Sequence, residues 1–179
     1  MTISARRQQP VQHPAWSASF AATAEEHLDD VYAYLVYFTR DRTLAEDLAA
    51  DTFEKALRQW GRFDARRASA RTWLCQIART TALDWFRAED RRRRREERSA
   101  PAERVEEAFA DGLSPDLEAA LASLSAAERE IVALRILLEL DGEETARVLG
   151  ISPTNVSTRL SRALEKMTAK LEGKVSADV

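Results

Sequence analysis

Residues 141–160 constrain the fold of this chain most strongly, because they combine two helix signals with one sharp turn. They read DGEETARVLGISPTNVSTRL. Asp141 is a suitable N-cap, Gly150 readily takes the left-handed conformation that ends a helix, and Ser152-Pro153 starts another helix. Ala146 is small enough for close helix contact. Three apolar residues are expected to pack the inner side of the second helix against the first: Ile151, Val156 and Leu160. The segment therefore predicts a helix-turn-helix.

The rest of the chain also has helical periodicity, and only five glycines and five prolines interrupt its 179 residues. A first helix is expected from about residue 22 to 38, with these residues on its apolar face: Leu28, Val31, Leu35 and Phe38. Thr43 and Glu46 form a capping-box pattern for a second helix, which ends at Gly61. A third helix is expected from about residue 71 into an arginine run.

These signals predict an all-α protein of two small helical domains joined by a flexible linker. Ser114-Pro115 and the Ser125/Glu128 pair mark helix starts in the second domain. The predicted division is a disordered N-terminal tail at 1–21, a first domain at 22–98, a linker at 99–114, a second domain at 115–172 and a tail at 173–179. The linker contains Pro and Gly and has no sustained apolar stripe.

Several classes of protein are excluded by what the chain lacks. Its one cysteine, Cys75, forms neither an internal disulfide nor a cysteine-based zinc site, and its apolar surroundings predict a core position. Neither His13 nor His27 has a context that suggests a metal or a catalytic triad. We therefore expect no metal, no cofactor and no enzymatic activity.

The chain also lacks membrane signals. No stretch approaches eighteen consecutive apolar residues, and Arg6 and Arg7 are not followed by the apolar segment of a signal peptide. We expect a cytoplasmic protein without membrane insertion.

Charge is segregated along the first domain, although the formal net charge is only −3. Residues 22–57 hold nine acidic side chains against three basic ones, whereas residues 58–98 hold thirteen arginines against six acidic side chains. Arginine pairs with phosphate and reads guanine edges through its planar guanidinium group. The contrast between adjacent segments indicates two different partners.

The basic segment interleaves arginine with aromatic residues, as single-strand-binding surfaces do. Aromatic rings stack on unpaired bases there and arginines hold the backbone. In the alternative, Trp73 and Trp85 are core residues, and the sequence leaves open which of them is exposed. Arg91–Arg95 suits non-specific phosphate contact, or else is a solvated charge run.

The second helix of the helix-turn-helix has a polar outer face suited to a DNA major groove and its phosphates. Its candidate DNA-binding residues are Thr154, Asn155, Ser157, Thr158, Arg159 and Arg162. The alternative is an ordinary helical hairpin with a solvated polar face.

Two long stretches resemble a known family. The first, AEDLAADTFEKALRQWGRFDARRASARTWLCQIARTTALDWFR, resembles region 2 of the extracytoplasmic-function (ECF) branch of the sigma-70 family. The second, LSAAEREIVALRILLELDGEETARVLGISPTNVSTRLSRALEKM, is similar to region 4 of that branch. The resemblance covers about residues 22–95 and 117–170. The long middle domain of housekeeping sigma factors has no room here.

This resemblance implies a sigma factor that directs core RNA polymerase to promoter DNA, and an anti-sigma protein as a further partner. It implies polymerase binding by Asp47, Leu48, Asp51, Phe53, Glu54 and Arg58. It implies recognition and melting of the −10 element by Phe63, Arg66, Arg67, Arg71, Trp73, Arg79 and Thr80. The polar face of the helix-turn-helix would then read the −35 element.

The chain departs from the family pattern at several positions. Thr80 stands where many relatives have Asn, which affects the choice of flipped base. Ser157 and Leu164 replace basic residues, and Thr145 replaces an apolar one. Glu139-Leu140-Asp141 replaces the usual Gly-Leu-Ser. We infer weaker phosphate anchoring by region 4.

Two other classes of function compete with a promoter-specificity subunit. One is a stand-alone helix-turn-helix regulator whose N-terminal half dimerises or senses a signal. The other is an enzyme or adaptor on a borrowed helical fold, which the missing catalytic and phosphate-binding motifs disfavour. Copurification with core polymerase and promoter-dependent run-off transcription discriminate among them.

We predict that the free protein binds promoter duplex weakly. A protein of net charge −3 gains little from phosphate contact, whereas polymerase would let both recognition surfaces act together. Mobility shifts should show a specific complex only with core polymerase. Tight, sequence-specific binding by the free protein would contradict this prediction.

Overall fold

The computed structural model describes residues 15–95 and 113–175, which form seven α-helices and no strand. The helices are α1 (Ala15–Thr39), α2 (Arg42–Gln59), α3 (Ala70–Arg95), α4 (Pro115–Ala122), α5 (Ala126–Val132), α6 (Gly142–Leu149) and α7 (Pro153–Val175). A 3-10 turn, Trp60–Arg62, follows α2, and a π-helical turn, Ala133–Leu137, extends α5. The all-α prediction is confirmed. Within these residues, no helix is both long and apolar enough to cross a membrane.

The predicted tails and linker fall largely outside the described residues. Residues 1–14, 96–112 and 176–179 are not described. The described part of the predicted C-terminal tail is helical, since α7 continues to Val175.

Residues 15–95, the N-terminal helical unit, form a bundle in which α1, α2 and α3 contact one another in pairs. Each helix contributes fully buried residues, among them Leu35 of α1, Leu48 of α2 and Leu74 of α3. Burying such side chains drives the helices together, because each contributes about 1.5–3 kcal/mol when removed from water. Cys75 is buried in this core, as predicted. Burial is the main cause that raises the pKa of its thiol to about 12.

Helix α1 begins earlier than the sequence predicts. It starts at Ala15, so seven residues of the predicted tail are helical. Phe20 is only 8% exposed and its ring meets the ring of Trp60 edge-on, at a centroid distance of 5.4 Å. A single aromatic residue gives no helical periodicity, so the sequence did not indicate this earlier start of α1.

Two expectations about the first helices are wrong. Asp41, not Thr43, caps α2, because its carboxylate accepts the Leu44 backbone N–H at 2.8 Å. Both residues are acceptable caps, and the left-handed Arg40, with φ of 55°, brings the chain into α2 two residues earlier. Leu28 was placed on the apolar face of the first helix, but it is 49% exposed.

Residues 113–175, the C-terminal helical unit, begin their helices as predicted. Ser114 caps α4, and capping boxes are present at Ser125/Glu128 and at Asp141/Glu144. Gly150 ends α6 with φ of 67°, which turns the chain into α7 and completes the helix-turn-helix.

The two units pack against each other. Helix α5 contacts α1, and α6 contacts α3. Buried residues of both units form one continuous apolar cluster. The face of α3 that follows the predicted DNA-binding loop therefore lies beside the helix-turn-helix.

We predict that Phe20→Ala lowers the free energy of unfolding by about 3 kcal/mol, because it removes a buried aromatic ring. Ser19→Ala is the matched control, since Ser19 is exposed on the preceding position of α1. Urea unfolding measures both. Equal stability of the two variants would show that the start of α1 is not held by Phe20.

Candidate nucleic-acid and polymerase interfaces

Three aromatic rings meet where α2 passes into α3. The rings of Trp60 and Phe63 are stacked at a centroid distance of 5.0 Å and an interplanar angle of 16°. Trp73 of α3 lies 5.9 Å from Trp60 and 5.2 Å from Phe63. This aromatic cluster (Trp60, Phe63 and Trp73) fixes the start of the loop that joins the two helices.

The loop after Phe63 is ordered by Asp64. Its Oδ1 accepts the Arg66 backbone N–H and the Arg66 Nε–H, both at 3.0 Å, and its backbone carbonyl accepts the Arg67 N–H at 2.9 Å. The side-chain hydrogen bond of Arg66, followed by its backbone one, lowers the pKa of Asp64. The turn holds Arg66 and Arg67 out in solvent.

A cavity of about 340 Å³ opens between the aromatic cluster and this loop. Its volume falls in the range of small-molecule pockets, about 300–1,000 Å³. Phe63 and Trp73 supply its aromatic wall, and Arg62, Arg67 and Arg147 supply positive charge. An aromatic wall with cations suits a nucleobase and its phosphates.

The other predicted −10 residues lie around this cavity or on α3. Arg71 is partly exposed, with its Nη1 3.7 Å from Asp30 Oδ2. Thr80 is exposed and its hydroxyl donates to the Gln76 carbonyl at 2.9 Å. Trp73 and Trp85 are both half-buried, so neither is fully in the core.

Arg79 points away from the solvent and towards the C-terminal helical unit. Its Nε donates to Glu130 Oε1 at 2.8 Å, and the same oxygen accepts the Tyr34 hydroxyl at 2.7 Å. Glu130 is only 4% exposed. Burial first, and then the charge and hydrogen bond of Glu130, raise the pKa of Tyr34 well above its ordinary value. Tyr34 therefore remains a donor to the carboxylate at neutral pH.

Further polar contacts join α3 to α6. Glu144 Oε1 accepts the Ser69 hydroxyl at 2.9 Å and the Thr72 hydroxyl at 2.8 Å. The Gln76 amide donates to the Arg147 carbonyl at 3.0 Å. Burial opposes ionisation of Glu144, but the hydrogen bonds from Thr72, Ser69 and the Asp141 backbone outweigh it and lower the pKa of Glu144.

The predicted polymerase-binding residues divide between two faces of α2. Asp47, Asp51 and Glu54 are exposed, and Glu54 pairs with exposed Arg58. Phe53 is half-buried against the core. Leu48 is only 1% exposed, so it packs in the core instead of lying on the outer face of α2. It lies on the inner stripe of α2, and the family motif does not distinguish an inner residue from an outer one.

The predicted −35 residues are all exposed on α7: Thr154, Asn155, Ser157, Thr158, Arg159 and Arg162. Two of the hydroxyls donate to their own helix, from Ser157 to the Pro153 carbonyl and from Thr158 to the Thr154 carbonyl. Arg159 and Arg162 are the cations of this set.

The sequence profile of Sigma-70 region 2 matches residues 23–92, and that of Sigma-70, region 4 matches residues 115–167. The ECF RNA polymerase sigma factor SigC of Mycobacterium tuberculosis is 32% identical over 146 residues, which cover 80% of this chain and 78% of that protein. The chain belongs to the ECF branch of the sigma-70 family. Tyr34, Arg79 and the aromatic cluster therefore lie in region 2, and Glu130, Glu144 and α7 lie in region 4.

Other relatives agree. The chain is similar to the ECF sigma factor SigX of Bacillus subtilis, with 28% identity over 86% of this chain and 84% of the relative. It is 30% identical to BldN of Streptomyces coelicolor but spans only 60% of that protein. The family, fold class and function predicted from the sequence are confirmed, and the stand-alone regulator is not favoured.

Solved structures of similar fold include the sigma factor RpoE in complex with the anti-sigma factor NepR from Bartonella quintana. Its TM-score is 0.74 at 24% identity, covering 86% of this chain and 97% of that one. CnrH in complex with the cytosolic domain of CnrY has a TM-score of 0.64 at 24% identity, covering 88% and 90%. These similarities show the fold.

Lys55 lies beside two of the predicted −10 residues, although the sequence did not indicate it as a candidate. It is the one basic residue between 43 and 57, in an otherwise acidic stretch, and its Nζ donates to Thr81 Oγ1 at 3.1 Å. It lines a second cavity of about 240 Å³ together with Trp73 and Thr80. The single positive charge within this acidic stretch was the sequence signal that could have indicated Lys55.

Thr145 is a departure from the family pattern with a structural consequence. It is fully buried in α6, and no hydrogen-bond partner for its hydroxyl occurs among the described residues. An unsatisfied buried hydroxyl destabilises a fold by about 1–3 kcal/mol.

We therefore predict that Thr145→Val raises the free energy of unfolding by about 1 kcal/mol, because valine has the same shape without the hydroxyl. Thr168→Val, at an exposed position of α7, serves as the control and should leave stability unchanged. Thermal and urea unfolding measure the difference. A loss of stability in Thr145→Val would mean that the hydroxyl has a partner.

Proposed function

We propose that this sigma factor binds core RNA polymerase through the outer face of α2, reads −35 duplex through α7 and holds the unpaired −10 strand on region 2. The observation that carries the −10 assignment is the cavity at the α2–α3 junction. There Phe63 and Trp73 form an aromatic wall beside Arg62 and Arg67. Such a wall favours a base that has left its stack over one within a duplex.

The polymerase contact rests on the exposed acidic side chains of α2. Asp47, Asp51 and Glu54 lie outward while Leu48 holds the helix from within. Exposed acidic groups attract a basic surface during association, and they fix how the two partners are positioned relative to each other. A basic surface of the polymerase is therefore the proposed partner.

Strand opening follows from capture of an unpaired base. Flipping a base out of a duplex costs a few kcal/mol, and stacking on an aromatic side chain returns about 1–3 kcal/mol per base. Phe63 and Trp73 supply the stacking surface, and the loop arginines supply phosphate contacts. No hydrolysis is needed for this step, and we propose that the protein acts as a non-catalytic initiation factor.

Recognition of the −35 element is proposed to be the weaker contact. Arg159 and Arg162 are exposed on α7, but Ser157 and Thr158 already donate hydrogen bonds to their own helix. Fewer cations at the groove release fewer counterions and lower the affinity for duplex DNA.

A cytoplasmic location and control by an anti-sigma protein complete the proposal. Core polymerase and promoter DNA are found in the cytoplasm of bacteria. The similar RpoE structure contains an anti-sigma factor.

We predict that Phe63→Ala lowers promoter-dependent run-off transcription by roughly ten-fold or more, because one base loses its stacking partner. Leu28→Ala is the control, since Leu28 is an exposed apolar residue of the same region. Permanganate reactivity of −10 thymines should fall in parallel, while polymerase binding is retained. Wild-type transcription and −10 opening by Phe63→Ala would overturn the −10 assignment.

A further inference from the structure

The first turns of α1 bury one aromatic residue against the aromatic cluster. Phe20 is 8% exposed, whereas the residues on either side of it in the sequence are exposed. The Phe20 ring meets the Trp60 ring edge-on, with an interplanar angle of 69°. Phe20 also precedes residues 23–92, which the region 2 profile matches. The contact that joins the start of α1 to the aromatic cluster therefore begins before the segment that defines region 2.

Trp60 lies between Phe20 and the wall of the proposed −10 cavity. Its ring is stacked on that of Phe63, at a centroid distance of 5.0 Å and an interplanar angle of 16°. Phe63 and Trp73 line the cavity, and Trp60 is not among the described residues that do so. Trp60 therefore contacts Phe63 from outside the cavity, and it leaves the part of the Phe63 ring that lines the cavity free for a base.

Phe63 depends on this support more than Trp73 does. Trp73 lies within α3, whose backbone hydrogen bonds fix its position. Phe63 lies outside the helices, directly after the 3-10 turn, and its backbone N–H donates to the Trp60 carbonyl at 3.0 Å. Both the backbone and the ring of Phe63 thus contact Trp60. The orientation of the aromatic wall therefore depends on where Trp60 lies.

An aromatic wall binds a base more tightly when its rings are already ordered, because ordering them during binding lowers the affinity. Trp60 is itself only half-buried, and the Phe20 ring holds it against α1. Loss of the Phe20 ring would leave Trp60 free to rotate. Phe63 would then lose its stacking partner, and strand binding would have to order both rings.

We propose that Phe20 is a positioning residue for the −10 strand, acting through Trp60 on the orientation of Phe63. The inference rests on the proposed −10 function of region 2. In this arrangement Phe63 contacts the base, whereas Phe20 contacts only protein. The start of α1 is in this way part of the −10 site, although it precedes the segment that the region 2 profile matches.

The test compares the same substitution at two positions of α1. Phe20→Leu removes the ring that contacts Trp60 and keeps an apolar side chain in its place. Phe38→Leu is the matched control, since Phe38 is 6% exposed and its ring meets the Phe86 ring edge-on at 5.9 Å. Phe38 lies about 27 Å along the helix from Phe20. Urea unfolding should show similar losses of stability in both variants, because each loses one edge-on aromatic contact.

Strand binding is measured with holoenzyme reconstituted from each variant and core polymerase. The probe is a fluorescein-labelled non-template oligonucleotide that spans the −10 element of a promoter mapped by run-off transcription. We expect Phe20→Leu to weaken binding by about three- to ten-fold, which corresponds to the loss of one aromatic pair. Phe38→Leu should bind the strand as wild type does. Both variants should retain wild-type affinity for core polymerase, because the outer face of α2 is unchanged.

A double-mutant cycle with Phe63→Ala shows whether Phe20 acts through Phe63. If it does, Phe20→Leu weakens strand binding in the wild-type background and has little effect once Phe63 is replaced by alanine. Equal weakening in both backgrounds overturns the proposal, and so does equal weakening by Phe38→Leu, because the effect would then come from a general loss of stability. If Phe20→Leu does not fold, Phe20→Met and Phe38→Met carry the same comparison, since methionine fills apolar space adaptably.

Phe63→Ala alone separates the positioning role from the function on which it rests. If Phe63→Ala weakens strand binding and Phe20→Leu does not, only the positioning role is wrong. If Phe63→Ala binds the strand as tightly as wild type, the proposed −10 function is wrong.

Discussion

The arrangement of the two regions depends on the carboxylate of Glu130. A carboxylate that has lost nearly all its water requires partners, and both partners of Glu130 come from the other region. Tyr34 is itself fully buried and donates to it from α1, while Arg79 donates from α3. One side chain of region 4 thereby fixes two helices of region 2. The same two helices of region 2 also make the packing contacts between the units, since α5 packs on α1 and α6 packs on α3.

Charge is divided among the helices in a way that suits successive partners. The acidic residues of α2 face solvent, where a basic protein surface can reach them. Arg62 and Arg67 lie beside an aromatic wall, and Arg79 of α3 is paired with Glu130 of region 4. Helix α7 exposes hydroxyls and two arginines, which suit contact with duplex DNA. The net charge of only −3 is therefore the sum of three surfaces that differ in charge and in side-chain type.

The sequence predicted the features that depend on neighbouring residues. The capping box at Ser125, the N-cap at Asp141 and the left-handed Gly150 were predicted because their signals lie within four residues. The start of α1 was missed since it depends on Phe20 meeting Trp60. Pairing of Arg79 with Glu130 joins positions 51 residues apart. No local pattern indicates such a pair, so the sequence suggested Arg79 as a free DNA contact.

The most direct measurement is a cryo-electron microscopy structure of this sigma factor with core polymerase on a promoter opened at the −10 element. The account predicts an unpaired −10 base against the wall formed by Phe63 and Trp73, with the exposed acidic face of α2 at the polymerase surface. A structure with the −10 strand held elsewhere on the protein would contradict it.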